Sequence, residues 1–317
     1  MKKRENQRLF FPCRFGLFLP ALMLSLSISW GEAAEVTAPG ARLERLTATC
    51  RFTEGPAADA MGNVYFTDQP NDRILIWTTK DRLEVFLQPC GRSNGLYFDR
   101  EGNLLACADE KNQLWLIPLS RQPRVLVDSY QGKLLNGPND LWVRPDNGVY
   151  FTDPYYRRPY WKRGPMEQEG EYVYFLSPDR KRLIRVATDL KKPNGIIGTP
   201  DGKTLYIADI GAGRTYAYEI QPDGTLTHKR LFCRMGSDGM TIDNEGNVYL
   251  TGRGVFIFSP SGKLLQHIAV PERWTANVCF GGPQFDYLYI TASKSLYRIR
   301  MRVHGVRWPV PSPHKRR

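Results

Sequence analysis

"SDGMTIDNEGNVYLTG" (Ser237–Gly252) decides the fold. A polar turn, Asp-Asn-Glu-Gly-Asn, runs into alternating β-formers, the mark of a tight hairpin inside a sheet. Eight residues before its Gly246 stands Asp238. The layout recurs along the chain, with turns at Gly62, Gly102, Asn147, Gly202, Gly246 and Phe285. The gaps are 40, 45, 55, 44 and 39 residues. Most units add a further strand, such as "RILIW" (73–77), "QLWLI" (113–117), "YVYFL" (172–176), "RTYAYEI" (214–220) and "GVFIF" (254–258). A period near 45 residues with several strands per unit marks a propeller blade. Six units predict an all-β, six-bladed β-propeller over residues 35–303. A β-sandwich also has many short strands, but they do not repeat at this spacing.

Stepping back eight residues from each turn gives Glu54, Asn94, Asn139, Asn194, Asp238 and Asn277. The first strand of each propeller blade lines the central channel, so equivalent positions share one height. The six side chains therefore form a ring at the channel mouth, and each offers an oxygen. A polar residue capping a strand would account for one such position. Six at one register point to a shared ligand. Oxygen donors without His or Cys suit a hard cation, and a roomy ring favours Ca²⁺ over Mg²⁺, with Zn²⁺ and Mn²⁺ as alternatives. Two carboxylates balance a divalent charge. The four histidines form no cluster and the five cysteines after residue 34 form no CxxC, which argues against a classical zinc site.

The start of the chain is a separate piece. "MKKRENQR" is basic, Phe15–Trp30 is apolar, and "GEAA" supplies small residues, the three-part pattern of a signal peptide over 1–34. The reading is export with cleavage, to the periplasm or outside, leaving no membrane span. Removing 1–34 takes away five basic and two acidic residues, so the net charge falls from +12 to +9. Seven of those nine charges lie in 298–317, a last strand and a basic tail (304–317). That is not the stripe over a fold that nucleic-acid binding needs. An odd count of five cysteines leaves at least one unpaired. Nothing in the sequence sets an oligomeric state.

These pieces resemble the gluconolactonase/regucalcin family of six-bladed propellers. The resemblance runs through "TEGPAAD" (53–59), "SNGLYFD" (93–99), "LNGPNDLW" (135–142) and "GVYFTDPYY" (148–156). It continues in "KPNGI" (192–196), "SDGMTIDNEGNVYLT" (237–251), "TANVCFGGP" (275–283) and "LYITASKSLYRI" (288–299). It implies a lactonase using one divalent cation held by Glu54, Asn139, Asn194 and Asp238, with Asp238 as proton acceptor. The substrate implied is a small lactone or ester. Two places depart from the family pattern. Gly137 stands where regucalcin-like members carry an Arg, and "CADEK" (107–111) replaces a His-bearing stretch.

The residues themselves offer no G-x-S-x-G elbow and no Ser–His pair near the ring. A cation that activates water removes the need for a nucleophile. The long gap of 55 residues comes from Pro154–Gly170, "PYYRRPYWKRGPMEQEG", a loop that exits on the ring side of blade three. Its aromatic and basic residues, Tyr155 and Arg157 foremost, are candidate substrate contacts beside Asn94 and Asn277. An ester or organophosphate hydrolase, or a binding propeller with a structural cation, are the other readings.

Overall fold

The structure is a computed structural model that describes residues 35–307. The signal peptide and the end of the basic tail lie outside the described residues. Within them the chain folds as six four-stranded antiparallel sheets. Blade one is β2 (Thr53–Ala58), β3 (Val64–Asp68), β4 (Arg73–Trp77) and β5 (Leu83–Leu87). Blade two is β6 (Leu96–Phe98), β7 (Leu104–Ala108), β8 (Gln113–Ile117) and β9 (Arg124–Val127). A short hairpin, β10 (Ser129–Tyr130) and β11 (Lys133–Leu134), leads to blade three. That blade is β12 (Leu141–Val143), β13 (Val149–Asp153), β14 (Tyr172–Leu176) and β15 (Leu183–Ala187). Blade four is β16 (Pro193–Gly198), β17 (Thr204–Asp209), β18 (Arg214–Ile220) and β19 (Leu226–Cys233). Blade five is β20 (Met240–Ile242), β21 (Val248–Gly252), β22 (Gly254–Phe258) and β23 (Leu264–Ile268).

The sixth blade is built from both ends of the fold. Its inner strands are β24 (Thr275–Gly281), β25 (Tyr287–Ala292) and β26 (Ser295–Arg300). Its outer strand is β1 (Glu44–Thr47), which pairs with β26 and ties the first described strand to the last. The sequence repeat ran from blade one to blade six and did not reveal this closure. The alternating arginines of β26 are neutralised at its edge: Arg298 pairs with Glu44 at 2.8 Å and Arg300 with Asp286 at 3.1 Å.

Strand chemistry follows position in the blade. Second strands such as "VYFTD" are buried along their whole length, because blades pack on both of their faces. Outer strands are half open, as Leu83 and Val85 of β5 show. The hairpin turns take the left-handed region that glycine adopts without penalty, with φ of 87° at Gly62 and 81° at Gly246. Asn147 and Phe285 take the same region at φ 72° and 57°, so the turn survives where glycine does not.

All five cysteines among the described residues, Cys50, Cys90, Cys107, Cys233 and Cys279, are buried, unpaired thiols. Burial pushes the Cys50 and Cys90 thiols up to about 12, which makes them inert.

Candidate active site

The six ring residues sit at one end of the inner strands. Glu54, Asn194 and Asn277 lie in β2, β16 and β24, and Asn94, Asn139 and Asp238 stand two residues before β6, β12 and β20. Five are buried and Asp238 is half-buried. In three blades, an acid at the end of the second strand fixes the approach to the ring. Asp68 accepts hydrogen bonds from Arg51 N and Phe52 N at 2.9 and 3.3 Å. Asp153 accepts from Asn136 N and Gly137 N at 2.9 and 2.8 Å. Asp209 accepts from Lys191 N and Lys192 N at 2.9 and 3.0 Å. Each pair lies three and two residues before its ring residue, so one device aims Glu54, Asn139 and Asn194 alike.

The ring is tight because small residues follow its members. Four are succeeded by glycine: Gly55, Gly95, Gly195 and Gly239. A Cβ on Gly55 would lie 2.1 Å from the Asn94 carbonyl oxygen, and one on Gly239 would lie 1.9 Å from Asn277 Cγ. Neighbouring blades approach at this level only because those atoms are missing. Below the ring the channel holds a cavity of about 90 Å³, lined by apolar residues such as Leu96, Met240 and Phe285, with Asp140 and Asn277 among the few polar ones.

A string of hydrogen bonds crosses the ring. Asn194 Nδ2 donates to Asp238 Oδ1 at 2.8 Å and to the Tyr156 hydroxyl at 2.9 Å. Trp274 Nε1 donates to Asp238 Oδ2 at 2.7 Å. Both Asn194 protons are thereby used, and its buried Oδ1 has no partner among the described residues. Glu54 lies within the field of Asp238. Burial first, and then the Asp238 charge, push the Glu54 carboxyl well up. Burial also raises Asp238, against the pull of the Trp274 and Asn194 hydrogen bonds. A third acid, Asp140, is pushed up to about 8 by burial, although the Leu141 amide donates to it at 2.9 Å. Asn277 Nδ2 donates to its other oxygen at 3.4 Å.

Donor chemistry and electrostatics both fit a hard cation here. An orphaned buried oxygen lies on Asn194, whose amide bonds Asp238, and the Asp238 charge bears on the buried Glu54 carboxyl. A positive ion would satisfy the oxygen and offset the repulsion. Among the described residues no group of three or more His, Cys, Asp or Glu is placed to hold a metal ion, so at the ring the amide oxygens would have to complete the donor set of the two carboxylates.

The Pro154–Gly170 loop reaches the ring through residues that alternate with the expected ones. Tyr156, not Tyr155, bonds to Asn194. Tyr155 packs edge-on against Trp161 and under Arg163, and its carbonyl accepts from Lys192 Nζ at 3.2 Å. Arg157 is exposed, whereas Arg158 lies over the Tyr156 ring at 5.1 Å and pairs with the buried Asp109 at 3.4 Å. Asp109, in "CADEK", also accepts from the Tyr160 hydroxyl at 3.0 Å and from Gln69 Nε2 at 3.2 Å. It thereby ties the loop to blades one and two. The absent side chain of Gly137 leaves the space that Asp109, Arg163 and Trp161 occupy. A loop has no period, so sequence could place it on the ring side but not choose which residues turn inward. Trp274 carried no signal at all.

A family model for the SMP-30/gluconolactonase/LRE-like region matches residues 52–294, which hold blades one to five and strands β24 and β25 of blade six. The chain belongs to that family. A gluconolactonase of Zymomonas mobilis is 30% identical over 294 residues, covering 83% of this chain and 82% of its own. A solved gluconolactonase of Xanthomonas campestris is 32% identical, with a TM-score of 0.79, covering 84% of this chain and 91% of its own. A regucalcin of Agrobacterium tumefaciens, described as a calcium-binding protein, shares the fold at 19% identity. Its TM-score is 0.71, with coverage of 85% of this chain and 97% of its own.

Proposed function

We propose that the protein is an exported, cation-dependent lactonase that opens a sugar lactone by attack of water. The observation that carries this reading is the unpartnered Asn194 Oδ1 beside the Glu54 and Asp238 carboxylates. Glu54, Asn139, Asn194 and Asp238 would hold the cation, and Ca²⁺ suits an all-oxygen set best. When bound, such an ion polarises a carbonyl and acidifies water.

Asp238 accepts the proton of the attacking water. The Trp274 and Asn194 hydrogen bonds hold its plane fixed. The new C–O bond forms as the ring C–O bond breaks, and the proton ends on the released hydroxyl. Asn94 and Asn277 belong to the same ring, but Asn277 is engaged by Asp140 and by Val278 N, which leaves the Asn94 amide as the one to meet a substrate hydroxyl. From the loop we assign the inner substrate contacts to Tyr156 and Arg158, with Tyr155 behind them and exposed Arg157 at the outer rim. Export rests on the basic start, apolar run and small residues of 1–34.

A panel of sugar lactones, simple esters and an organophosphate, assayed with and without chelator, tests this reading. Hydrolysis of a sugar lactone that chelator abolishes and calcium restores is expected. No hydrolysis of any of them would favour a binding propeller.

A further inference from the structure

Trp274 closes the connector between β23 and β24. That connector is staked to blade six: the Ser295 and Tyr297 hydroxyls donate to Glu272 Oε1 at 2.7 and 3.1 Å, and Ser293 N donates to the Trp274 carbonyl at 2.9 Å. The backbone is fixed, yet Trp274 is 46% exposed. Its one polar group is spent on Asp238 Oδ2 at 2.7 Å, so the surface left to solvent is ring carbon. A large aromatic surface held open beside the half-buried Asp238 forgoes the gain that burial would bring.

We propose that Trp274 is the substrate platform of this site: its open face takes the carbon face of a ring-closed, polyhydroxylated lactone. The proposal rests on the lactonase reading above. A sugar lactone has a hydroxyl-bearing rim and a face of C–H groups. Indole offers wide apolar contact at little conformational cost. The other end of the hydrogen-bond string is different in kind. There Tyr156 carries Arg158 and Lys192 over its ring at 5.1 and 4.7 Å, a polar and basic wall suited to hydroxyl and carboxylate oxygens. One apolar and one hydrogen-bonding wall, flanking the same acid, would orient such a ring over Asp238.

The test is titration calorimetry with gluconolactam, a ring analogue that is not hydrolysed readily, on wild type, Trp274→Ala and Trp274→Phe. All three are equally loaded with calcium. Glucono-lactone turnover is measured alongside. The platform predicts that Trp274→Ala weakens lactam binding at least about tenfold and raises KM in step, while Trp274→Phe, which keeps a ring, stays within about threefold of wild type. Unchanged binding in Trp274→Ala overturns the proposal. So does equal weakening in both variants, which would assign the effect to the indole N–H on Asp238. Wild type that binds the lactam through Trp274 but turns over no lactone would retain the platform and remove the lactonase reading.

Discussion

The two ends of the blades use the same residue types for opposite purposes. At the turn end, Asp59, Asp99 and Asp243 each close their own hairpin. Asp243 Oδ1 accepts from Glu245 N and Asn247 N, both at 2.9 Å, and its Oδ2 accepts from Asn247 Nδ2 at 2.9 Å and the Tyr249 hydroxyl at 2.8 Å. Asp59 and Asp99 repeat the pattern with Asn63 and Asn103. At the ring end, Glu54 accepts from its own neighbour Gly55 N at 3.0 Å and faces a second acid, and Asn194 keeps an orphaned oxygen. Buried polar groups that satisfy one another stabilise a fold. Buried groups left facing one another are the usual mark of a site.

Asp238→Asn should separate the two ends most sharply. It keeps size and one oxygen but removes the proton acceptor. At saturating calcium, lactone turnover should fall by roughly two orders of magnitude or more. Thermal melting should hardly move. Full turnover by this variant would remove Asp238 from the chemistry.

The mirror experiment is Asp243→Ala. Tyr249 is buried and would lose its partner, as would two backbone amides. Melting should drop by about 5–10 °C, from a loss of roughly 2–4 kcal/mol in a domain of this size. KM and kcat at a temperature where the variant is folded should match wild type. A selective loss of kcat would break the division between the ends.

Asp109 joins the loop to the blades and gives a smaller, pH-dependent effect. Burial pushes its carboxyl up to about 6, despite the nearby Arg158. The folded state therefore holds the proton more tightly than the unfolded chain. This group's contribution to stability is greatest below the unfolded pKa and declines as pH rises through about 6. The melting difference between Asp109→Asn and wild type should move in favour of the variant from pH 4.5 to 7.5. A difference independent of pH would contradict the assignment. The smallest effect expected is none: reducing agent should leave melting unchanged, because the five described cysteines are unpaired.

The ring was legible in sequence because a propeller converts a fixed offset into a fixed height. Counting eight residues back from each turn found Glu54, Asn94, Asn139, Asn194, Asp238 and Asn277 without any contact being known. What aims them was not legible. Asp68, Asp153 and Asp209 bind connectors 16 to 18 residues back in the chain, and nothing in "FTD" or "IAD" announces that reach. The Arg157–Arg158 and Tyr155–Tyr156 pairs are chemically alike, so only the folded loop selects between neighbours. The closing strand β1 lies outside the repeat, where no register exists to read, and Trp274 stands three residues before Asn277, an offset that holds Arg51, Asn136 and Lys191 in other blades and so announces no shared role.

The most direct test of the division between the ends is the calcium content of protein purified without chelator. One tightly held cation per chain is expected in wild type and in Asp243→Ala, and clearly weaker retention in Glu54→Gln, which loses one of two ring carboxylates. Wild type without a cation, or retention that falls in Asp243→Ala as it does in Glu54→Gln, would contradict that division.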